Sequence, residues 1–207
     1  TIAGYVNDGG VHTYGLIDSI NYAGSSSFFR YQYPSRLPED VRKRAAEVSK
    51  KIMAHMGFDH SPFNIEYFYD EEEDHLWLLE INTRISQSHS YLFEQVDGAS
   101  NHQVLVELAL GNPPKFPRNE GPHRFCNKLH LRYFEDGTVT RIPGETDIEK
   151  VREKYPDARV LVQVKEGARL GEMPNQDAYS TRMAVVYLGA DNEDELLERY
   201  EDAIDML

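Results

Sequence analysis

The sequence predicts an α+β fold in which antiparallel strands form sheets and helices pack against them. Residues 1–22 and 63–81 each alternate apolar and polar positions around a turn sequence, which is typical of β-hairpins. Residues 38–56 repeat apolar positions every three or four residues, which predicts an amphipathic helix. The chain has 207 residues, of which 40% are hydrophobic and 28% charged, so it can bury a sizeable globular core.

The first third of the chain is predicted to contain a hairpin, a loop and a long helix. The strands cover residues 2–6 and 11–17, and residues 23–36 are expected to form a loop. Pro38 begins the helix because its missing N–H costs nothing in the first turn, and Gly57 ends it as a C-cap. The helix stripe predicted to be buried comprises Val41, Ala45, Val48, Ile52 and Met56.

A second hairpin is predicted to place two acidic side chains opposite each other. Its strands cover residues 63–69 and 76–81, separated by a highly charged turn. A turn centred between them puts Glu66 opposite Glu80, or one residue away, with Cβ atoms roughly 5 Å apart. Because side chains alternate along a strand, Asn82 is expected on the same face.

The same alternation assigns the apolar residues of this hairpin to its two faces. It predicts that Leu76 and Leu78 share the face of the glutamates. Tyr67 and Leu79 are then expected on the opposite face.

Two carboxylates this close predict a site for a divalent cation. Like charges directly opposite each other destabilise a sheet, and a bound cation would remove that repulsion. Glu66, Glu80 and Asn82 offer hard oxygen ligands on rigid strands, which suit Mg²⁺ and leave positions for water or phosphate. Arg84 follows with the same alternation and can contact a phosphate or carboxylate in a bidentate manner. A one-residue slip in register would instead leave a solvated face on which the glutamates never meet.

The pattern of the chain changes after residue 110. The helix predicted over residues 101–110 ends at Gly111, and the proline-rich stretch that follows marks the predicted boundary between domains 1–115 and 116–207. The second domain is expected to be a smaller α+β region. Its predicted elements are strands over residues 125–134, 139–142, 160–164 and 183–188, a short helix over 148–155, and a final helix to Leu207 capped by Asp191.

Charge and composition exclude several classes of function. The net charge of −13 disfavours non-specific binding to nucleic acid, whose phosphates require Lys and Arg. No apolar run reaches the roughly 20 residues of a membrane helix, so no membrane association is expected. Cys126 is the only cysteine, which excludes intrachain disulfides and fits a cytoplasmic location. The glycine-rich phosphate loop that ends in Gly-Lys-Ser/Thr is missing from the sequence.

The segment Glu-Ile-Asn-Thr-Arg at residues 80–84 resembles the motif of the ATP-grasp superfamily. Members carry Glu-x-Asn-x-Arg at the end of a strand and another metal-binding acid on the preceding strand, which Glu66 matches. The order of the neighbouring segments also agrees, from Pro-Ser-Arg-Leu-Pro at 34–38 to Leu-Ala-Leu-Gly at 108–111. The resemblance covers residues 1–112, which would form the second half of an ATP-grasp domain. The remainder is similar to the C-terminal region of amide-forming members.

The resemblance implies an ATP-dependent carboxylate–amine ligase. Such enzymes use ATP to phosphorylate a small carboxylic acid, and an amine then displaces phosphate from the acyl phosphate. Glu66, Glu80 and Asn82 would hold Mg²⁺ or Mn²⁺ ions that bridge the ATP phosphates, with Glu80 and Asn82 as the cofactor-binding residues. Arg84 would be the catalytic residue that stabilises the transferring phosphoryl group.

The resemblance also implies that the chain is a fragment or one half of a split enzyme. In the family, the ATP-binding lysines and the segment that contacts adenine precede the part matched here. The chain alone is therefore expected to bind ATP poorly and to be inactive. A homodimer or a partner chain is considered as the source of the missing half.

The residues after the motif distinguish between branches of the superfamily. Members of the biotin-carboxylase type carry a glutamate before a histidine there, whereas this chain has Ser88 before His89. The difference favours an amide-forming ligase over a bicarbonate-activating enzyme of the biotin-carboxylase or carbamoyl-phosphate-synthase type, which stays an alternative. A non-catalytic module that binds metal or nucleotide is another. Ser86, Ser88 and His89 are candidate substrate residues, and Asp18 is expected either to face the pocket or to have a turn or solvent role.

Overall fold

The computed structural model describes residues 1–174 and 176–207. Its strands are β1 (Ile2–Asn7), β2 (Gly10–Leu16), β3 (Asp18–Asn21), β4 (Phe28–Tyr33), β5 (Ser61–Asp70), β6 (His75–Asn82), β7 (Phe125–Tyr133), β8 (Arg159–Val162) and β9 (Thr181–Ala190). Its helices are α1 (Glu39–Met56), α2 (Ser90–Asp97), α3 (Asn101–Ala109), α4 (Glu145–Lys154) and α5 (Glu193–Met206). Short 3₁₀ turns cover Gln87–His89 and Leu170–Glu172. The predicted α+β class is confirmed.

The chain divides into two compact units. The first comprises Thr1–Asp18 and Tyr33–Pro122, and the second comprises Ser19–Gln32 and His123–Leu207. The division into domains 1–115 and 116–207 stays a prediction. It differs from the compact units because the segment that contains most of β3 and β4 joins the second unit. No helix in the described part of the chain combines the length and apolar character needed to cross a membrane.

The first unit is built on a four-stranded antiparallel sheet in the order β2–β1–β5–β6. The β1–β2 hairpin turns at Asp8 and Gly9, which both have positive φ, as the Asn-Asp-Gly-Gly sequence predicts. Helix α1 covers the sheet, and its core side is shared with Ile2, Phe63 and Ile65. The strands that carry the predicted acidic pair are therefore held against a packed core on one face.

Helix α1 buries a narrower stripe than predicted. Its buried side chains are Val41, Ala45, Ser49 and Met53, which recur at four-residue spacing. Val48 and Ile52 are half-buried beside this stripe, and Met56 in the last turn is exposed, so its predicted burial is wrong. Gly57 ends the helix in the left-handed conformation, as predicted.

The second sheet has the strand order β3–β4–β7–β9–β8. Strand β4 contradicts the loop predicted for residues 23–36, because its Phe-Phe-Arg-Tyr-Gln-Tyr sequence is aromatic and suits a sheet. The strand predicted for residues 139–142 is not formed. An isolated bridge between Thr138 and Arg169 precedes these residues. Helix α5 is capped by Asn192, whose side chain accepts from the Glu195 N–H at 2.9 Å, and the predicted cap at Asp191 is wrong.

Candidate functional site

The β5–β6 hairpin places two acidic residues in direct register. Glu66 is the cross-strand partner of Glu80, and Asn64 is the partner of Asn82. Both pairs precede a β-bulge that lies between Glu66 and Tyr67. The register slip that would separate the glutamates is therefore not present at this pair.

The bulge changes which residues share a face nearer the turn. Beyond it, Tyr67 pairs with Leu78, and the next inward-facing position of β6 is Leu76. Tyr67 and Leu76 both pack against the core beneath α1. The prediction that Leu76 and Leu78 lie on the acidic face is thus wrong, because the extra residue Leu79 shifts the alternation along β6.

The acidic pair forms no ion pair with a Lys, Arg or His side chain in the described part of the chain, and the cation that acts on Glu66 there is the N-terminal ammonium of Thr1. Glu66 is half-buried and Glu80 is exposed, and within residues 1–174 and 176–207 neither forms an ion pair with a basic side chain. Like charges in this arrangement repel each other across the sheet. A divalent cation between them would remove the repulsion, so the geometry fits one.

The donor set is that of a hard cation. In the described part of the chain, no group of three or more His, Cys, Asp or Glu side chains is arranged to hold a metal. The candidate site instead combines two carboxylates with the amide oxygen of Asn82, two residues from Glu80 on the same strand. Oxygen ligands of this kind suit Mg²⁺ or Mn²⁺ rather than zinc.

A cavity of about 480 Å³ opens beside the acidic pair. We call it the motif cavity, and it is lined by Asn64, Glu66, Arg84, Ile85, Ser86, Gln87 and Ser88. It brings together four of the predicted site residues, Glu66, Arg84, Ser86 and Ser88. Glu80 and Asn82 lie on the neighbouring strand and do not belong to the lining.

His89 lies apart from the lining of the motif cavity. It is 4% exposed and belongs to the 3₁₀ turn that leads into α2. Helix α2 was not predicted, because the polar sequence Ser-Gln-Ser-His-Ser conceals its start. Its side chains are almost all buried, which fixes residues 86–88 at the cavity wall. A substrate role for His89 stays a prediction.

Two buried asparagines that the sequence analysis missed hold the cavity wall in place. Asn64 is 2% exposed, and its side-chain amide donates to the Arg84 carbonyl at 2.8 Å. Asn101 is 1% exposed, donates to the Ser86 carbonyl at 3.0 Å and accepts from the Ser90 hydroxyl at 2.6 Å. Unpaired, such buried amides would be costly, so these bonds fix the backbone on both sides of Ile85.

Arg84 presents its guanidinium to the motif cavity. The side chain is exposed and donates to the neighbouring Ile85 carbonyl at 3.3 Å. No carboxylate pairs with it among the described residues. The guanidinium is therefore available for an anionic group in the cavity.

Asp18 stabilises the segment that leads into α1. Its carboxylate accepts from the Ser35 hydroxyl at 2.5 Å and from the Arg36 backbone N–H at 2.7 Å. These bonds support the turn role that the sequence analysis weighed for Asp18, and they use both of its oxygens.

Comparison with known proteins connects this site to a family. Residues 32–115 match the family model described as carbamoyl-phosphate synthase L chain, ATP binding domain. Urea amidolyase of Saccharomyces cerevisiae is 22% identical over 170 residues, which is 82% of this chain and 9% of that protein. D-alanine–D-alanine ligase of Synechococcus is 42% identical over 50 residues, which is 24% of this chain and 14% of that protein.

Solved structures share the fold over nearly the whole chain. L-amino acid ligase from Bacillus licheniformis matches with a TM-score of 0.77 and 20% identity, over 99% of this chain and 49% of that one. Phosphoribosylglycinamide synthetase from Anaerococcus prevotii gives 0.73 and 11% identity, over 99% and 51%. The biotin carboxylase domain of Hydrogenobacter thermophilus 2-oxoglutarate carboxylase gives 0.66 and 19% identity, over 99% and 44%.

The chain spans about half the length of these solved structures and a smaller share of its curated relatives. The solved structures are ATP-grasp ligases, and at these identities they establish the fold. The resemblance to the ATP-grasp superfamily predicted from the Glu-x-Asn-x-Arg motif is confirmed.

Proposed function

Starting from the ATP-grasp fold and the family match, we propose that this chain supplies the metal- and phosphate-binding end of an ATP-dependent ligase site. The ligase activates a small carboxylic acid as an acyl phosphate, which an amine then attacks. The observation that carries the proposal is the direct register of Glu66 with Glu80, beside a cavity into which Arg84 projects. The two carboxylates and the exposed guanidinium together match the charges of a metal–phosphate complex.

Each residue of the site has a defined task in this proposal. Mg²⁺, when bound, neutralises charge on the ATP phosphates as a Lewis acid. Glu66, Glu80 and Asn82 hold the metal through their side-chain oxygens. Arg84 binds the transferring phosphoryl group, whose charge spreads over its outer oxygens. Asn64 and Asn101 donate hydrogen bonds to the backbone carbonyls of Arg84 and Ser86 in this wall. These bonds fix the backbone position from which the Arg84 side chain extends.

The wall after the motif is proposed to contact the organic substrates. Ser86 and Ser88 contribute hydroxyl groups to the motif cavity, and such groups can both donate and accept hydrogen bonds. Ser88 occupies the place where biotin-carboxylase-type members carry a glutamate, which favours an acid and an amine over bicarbonate. Two relatives named in the comparisons, an L-amino acid ligase and a D-alanine–D-alanine ligase, agree with substrates of this class.

The remainder of the ATP site is proposed to come from outside this chain, which covers about half of the solved ligases it resembles. The chain alone would then bind ATP weakly and turn it over little. A longer polypeptide, a second copy or a partner chain would complete the site. We place the protein in the cytoplasm, where ATP and small metabolites are available.

A second candidate is activation of bicarbonate. It is favoured by the matched family model and by the 2-oxoglutarate carboxylase domain, which was solved with Mg-ADP and bicarbonate. The two candidates share the proposed metal site and differ in the group that receives the phosphoryl. The residue that separates them is Ser88.

The test is phosphate release from ATP by the complete protein that contains this chain. Mg²⁺ is supplied with a panel of carboxylic acids and amines, and a parallel arm contains bicarbonate alone. We expect release that requires both an acid and an amine and is abolished by Glu80→Gln and by Arg84→Met. Glu71→Gln, in the charged turn, is the matched control and should release phosphate like the wild type.

The outcomes separate the candidates. Release driven by bicarbonate alone establishes the second candidate. Release that survives both Glu80→Gln and Arg84→Met excludes the proposed site. A folded protein that binds Mg²⁺ but hydrolyses no ATP with any substrate pair identifies a non-catalytic module.

A further inference from the structure

We propose that a second cavity in the first unit binds a small phosphoryl dianion. This hairpin cavity, of about 350 Å³, lies at the edge strand β2. It is lined by Tyr5, Val11, His12, Thr13, Tyr14, Lys50, Phe116 and Arg118. It shares no lining residue with the motif cavity, so it is a separate site.

The charge of the hairpin cavity is opposite to that of the chain. The chain contains 35 acidic residues against 22 Lys and Arg residues. The lining of the cavity, by contrast, carries Lys50, Arg118 and His12 and, among the described residues, no acidic side chain. Lining of this composition on an acidic protein attracts anions and concentrates them locally.

The acidic neighbours of the two permanent cations lie outside the lining. The Lys50 ammonium is 3.1 Å from Glu47, and both side chains are largely exposed. The Arg118 guanidinium is 3.9 Å from Asp97, whose oxygens also accept from the Tyr33 hydroxyl at 2.6 Å and from the Asn119 N–H at 3.1 Å. The exposed pair with Glu47 is weak, so a dianion competes readily for Lys50. Asp97 is buried, but its separation of 3.9 Å from Arg118 is too long for a direct hydrogen bond, so that pair leaves guanidinium donors for a ligand.

The Tyr14 hydroxyl can donate a hydrogen bond, and within the described residues no acceptor is bonded to it. The residue is 2% exposed and lines the cavity, and its hydroxyl is buried with no hydrogen-bond partner among the described residues. Burying such a group unpaired is costly, which is why nearly all buried hydroxyls are paired. Burial raises the pKa of Tyr14, and the nearby Arg118 charge opposes that rise. The phenol is therefore a neutral donor close to a cation.

Ring contacts and a hydrogen bond hold the walls of the hairpin cavity in place. The rings of Tyr5 and His12 are stacked at 4.8 Å, and those of Tyr14 and Phe116 at 4.3 Å. Arg118 lies over Phe116, 5.5 Å from the ring centroid, and donates to the Thr13 carbonyl. Donors held in place by such contacts lose little entropy when a ligand binds, which favours affinity.

These features suit a phosphoryl group. A guanidinium and an ammonium balance two negative charges, and a phenol O–H adds a directional donor. The volume accommodates inorganic phosphate or a small phosphate monoester, and the aromatic walls tolerate an attached ring. Inorganic phosphate and a phosphate monoester both present dianionic phosphoryl oxygens, and the test distinguishes the free ion from the ester.

The experiment measures binding of inorganic phosphate and of phenyl phosphate to the chain by calorimetry, at constant ionic strength. We expect saturable binding of at least one of them. Tyr14→Phe and Lys50→Met should each weaken it at least about tenfold, because each removes a contact to a charged ligand. Lys51→Met, the exposed neighbour on α1, should leave it unchanged. Tyr14→Phe deletes one oxygen only, and a melting curve verifies that the variant folds.

A third variant separates the two cavities. Arg84→Met removes the cation of the motif cavity and should leave intact the binding that depends on Tyr14 and Lys50. The proposal is overturned if neither compound binds, or if binding is lost in Arg84→Met but not in Tyr14→Phe. Because Arg84 is not part of the hairpin cavity, the ligase proposal and this one can fail independently.

Discussion

The buried side-chain amide of Asn64 donates a hydrogen bond of 2.8 Å to the backbone carbonyl of Arg84. The bond joins β5 to the second residue after β6, at the point where the chain leaves the sheet. Arg84 has an exposed and flexible side chain, so its position depends on the backbone from which it starts. A residue on the acid-bearing strand thus restricts the guanidinium proposed to bind phosphate.

Replacing Asn64 tests this coupling. Asn64→Ala leaves the Arg84 carbonyl without its partner, and we expect the unfolding free energy to fall by about 1–3 kcal/mol. In the complete protein, turnover of the proposed ligase reaction should fall more than ATP affinity, because Arg84 is proposed to act on the transferring phosphoryl group. Urea denaturation and steady-state kinetics measure the two effects. Asn7→Ala, near the β1–β2 turn, is the control, and an equal loss in both variants would contradict the coupling.

The register of Glu66 and Glu80 predicts opposite effects of one substitution with and without metal. In the absence of divalent ions, Glu80→Gln removes a like-charge pair and should raise stability by about 0.2–1 kcal/mol. With Mg²⁺ present, the wild type should gain stability by ligand binding, and the variant should gain less. Thermal unfolding at several Mg²⁺ concentrations measures this. Glu71→Gln should respond to Mg²⁺ like the wild type, and an unchanged response in Glu80→Gln would exclude the site.

Local patterns were sufficient to predict much of the β5–β6 hairpin and its acidic pair. Strong strand formers flank a charged turn, and that arrangement defines the pairing near Glu66. The bulge was not predictable, because the alternation along either strand does not reveal that Tyr67 and Leu76 both pack beneath α1. Asn64 and Asn101 were missed for a related reason. Their partners are backbone carbonyls 20 and 15 residues away, and only the folded chain brings them together.

The buried residue Lys128 should make the free energy of unfolding depend on pH in the alkaline range. It is 9% exposed on β7, with its ammonium 5.6 Å and 5.8 Å from the ring centroids of Tyr31 and Tyr187. Burial, assisted by the Arg182 charge, lowers the pKa of Lys128 from 10.5 to about 8. Between these two values the unfolded chain binds more protons than the folded one, so the contribution of this group to stability rises with pH.

Lys128→Met removes the titrating group. At pH 7, where the buried ammonium is charged, the variant should be more stable by on the order of 1–3 kcal/mol. The advantage should shrink as the pH rises from 8 towards 10, because the wild-type lysine then loses its proton in the folded state. Denaturant unfolding across this range measures the difference, with the exposed Lys165→Met as control. A difference that stays constant with pH would show that Lys128 does not titrate in this window.

Gly4 lies in the β1–β2 hairpin, which forms one wall of the hairpin cavity, at a position with no room for a side chain. A Cβ atom at this position would lie 2.1 Å from the His12 carbonyl oxygen and 2.8 Å from the Phe63 ring. Since the first of these is backbone, β2 must shift away from β1 to admit it. Gly4→Ala should therefore lower the unfolding free energy by about 1–3 kcal/mol or more.

The same shift should reach the residues that face the hairpin cavity, because His12 and Thr13 lie on the displaced strand. Gly4→Ala should thus weaken phosphate binding even at temperatures where the variant is fully folded. Gly137→Ala is the matched control, since among the described residues no atom beyond the immediate chain neighbours lies within 4 Å of its added Cβ. Its stability should change by less than about 0.5 kcal/mol. Equal stability of the two variants would mean that the β1–β2 pairing relaxes without cost, and the rigid wall proposed for the hairpin cavity would then be wrong.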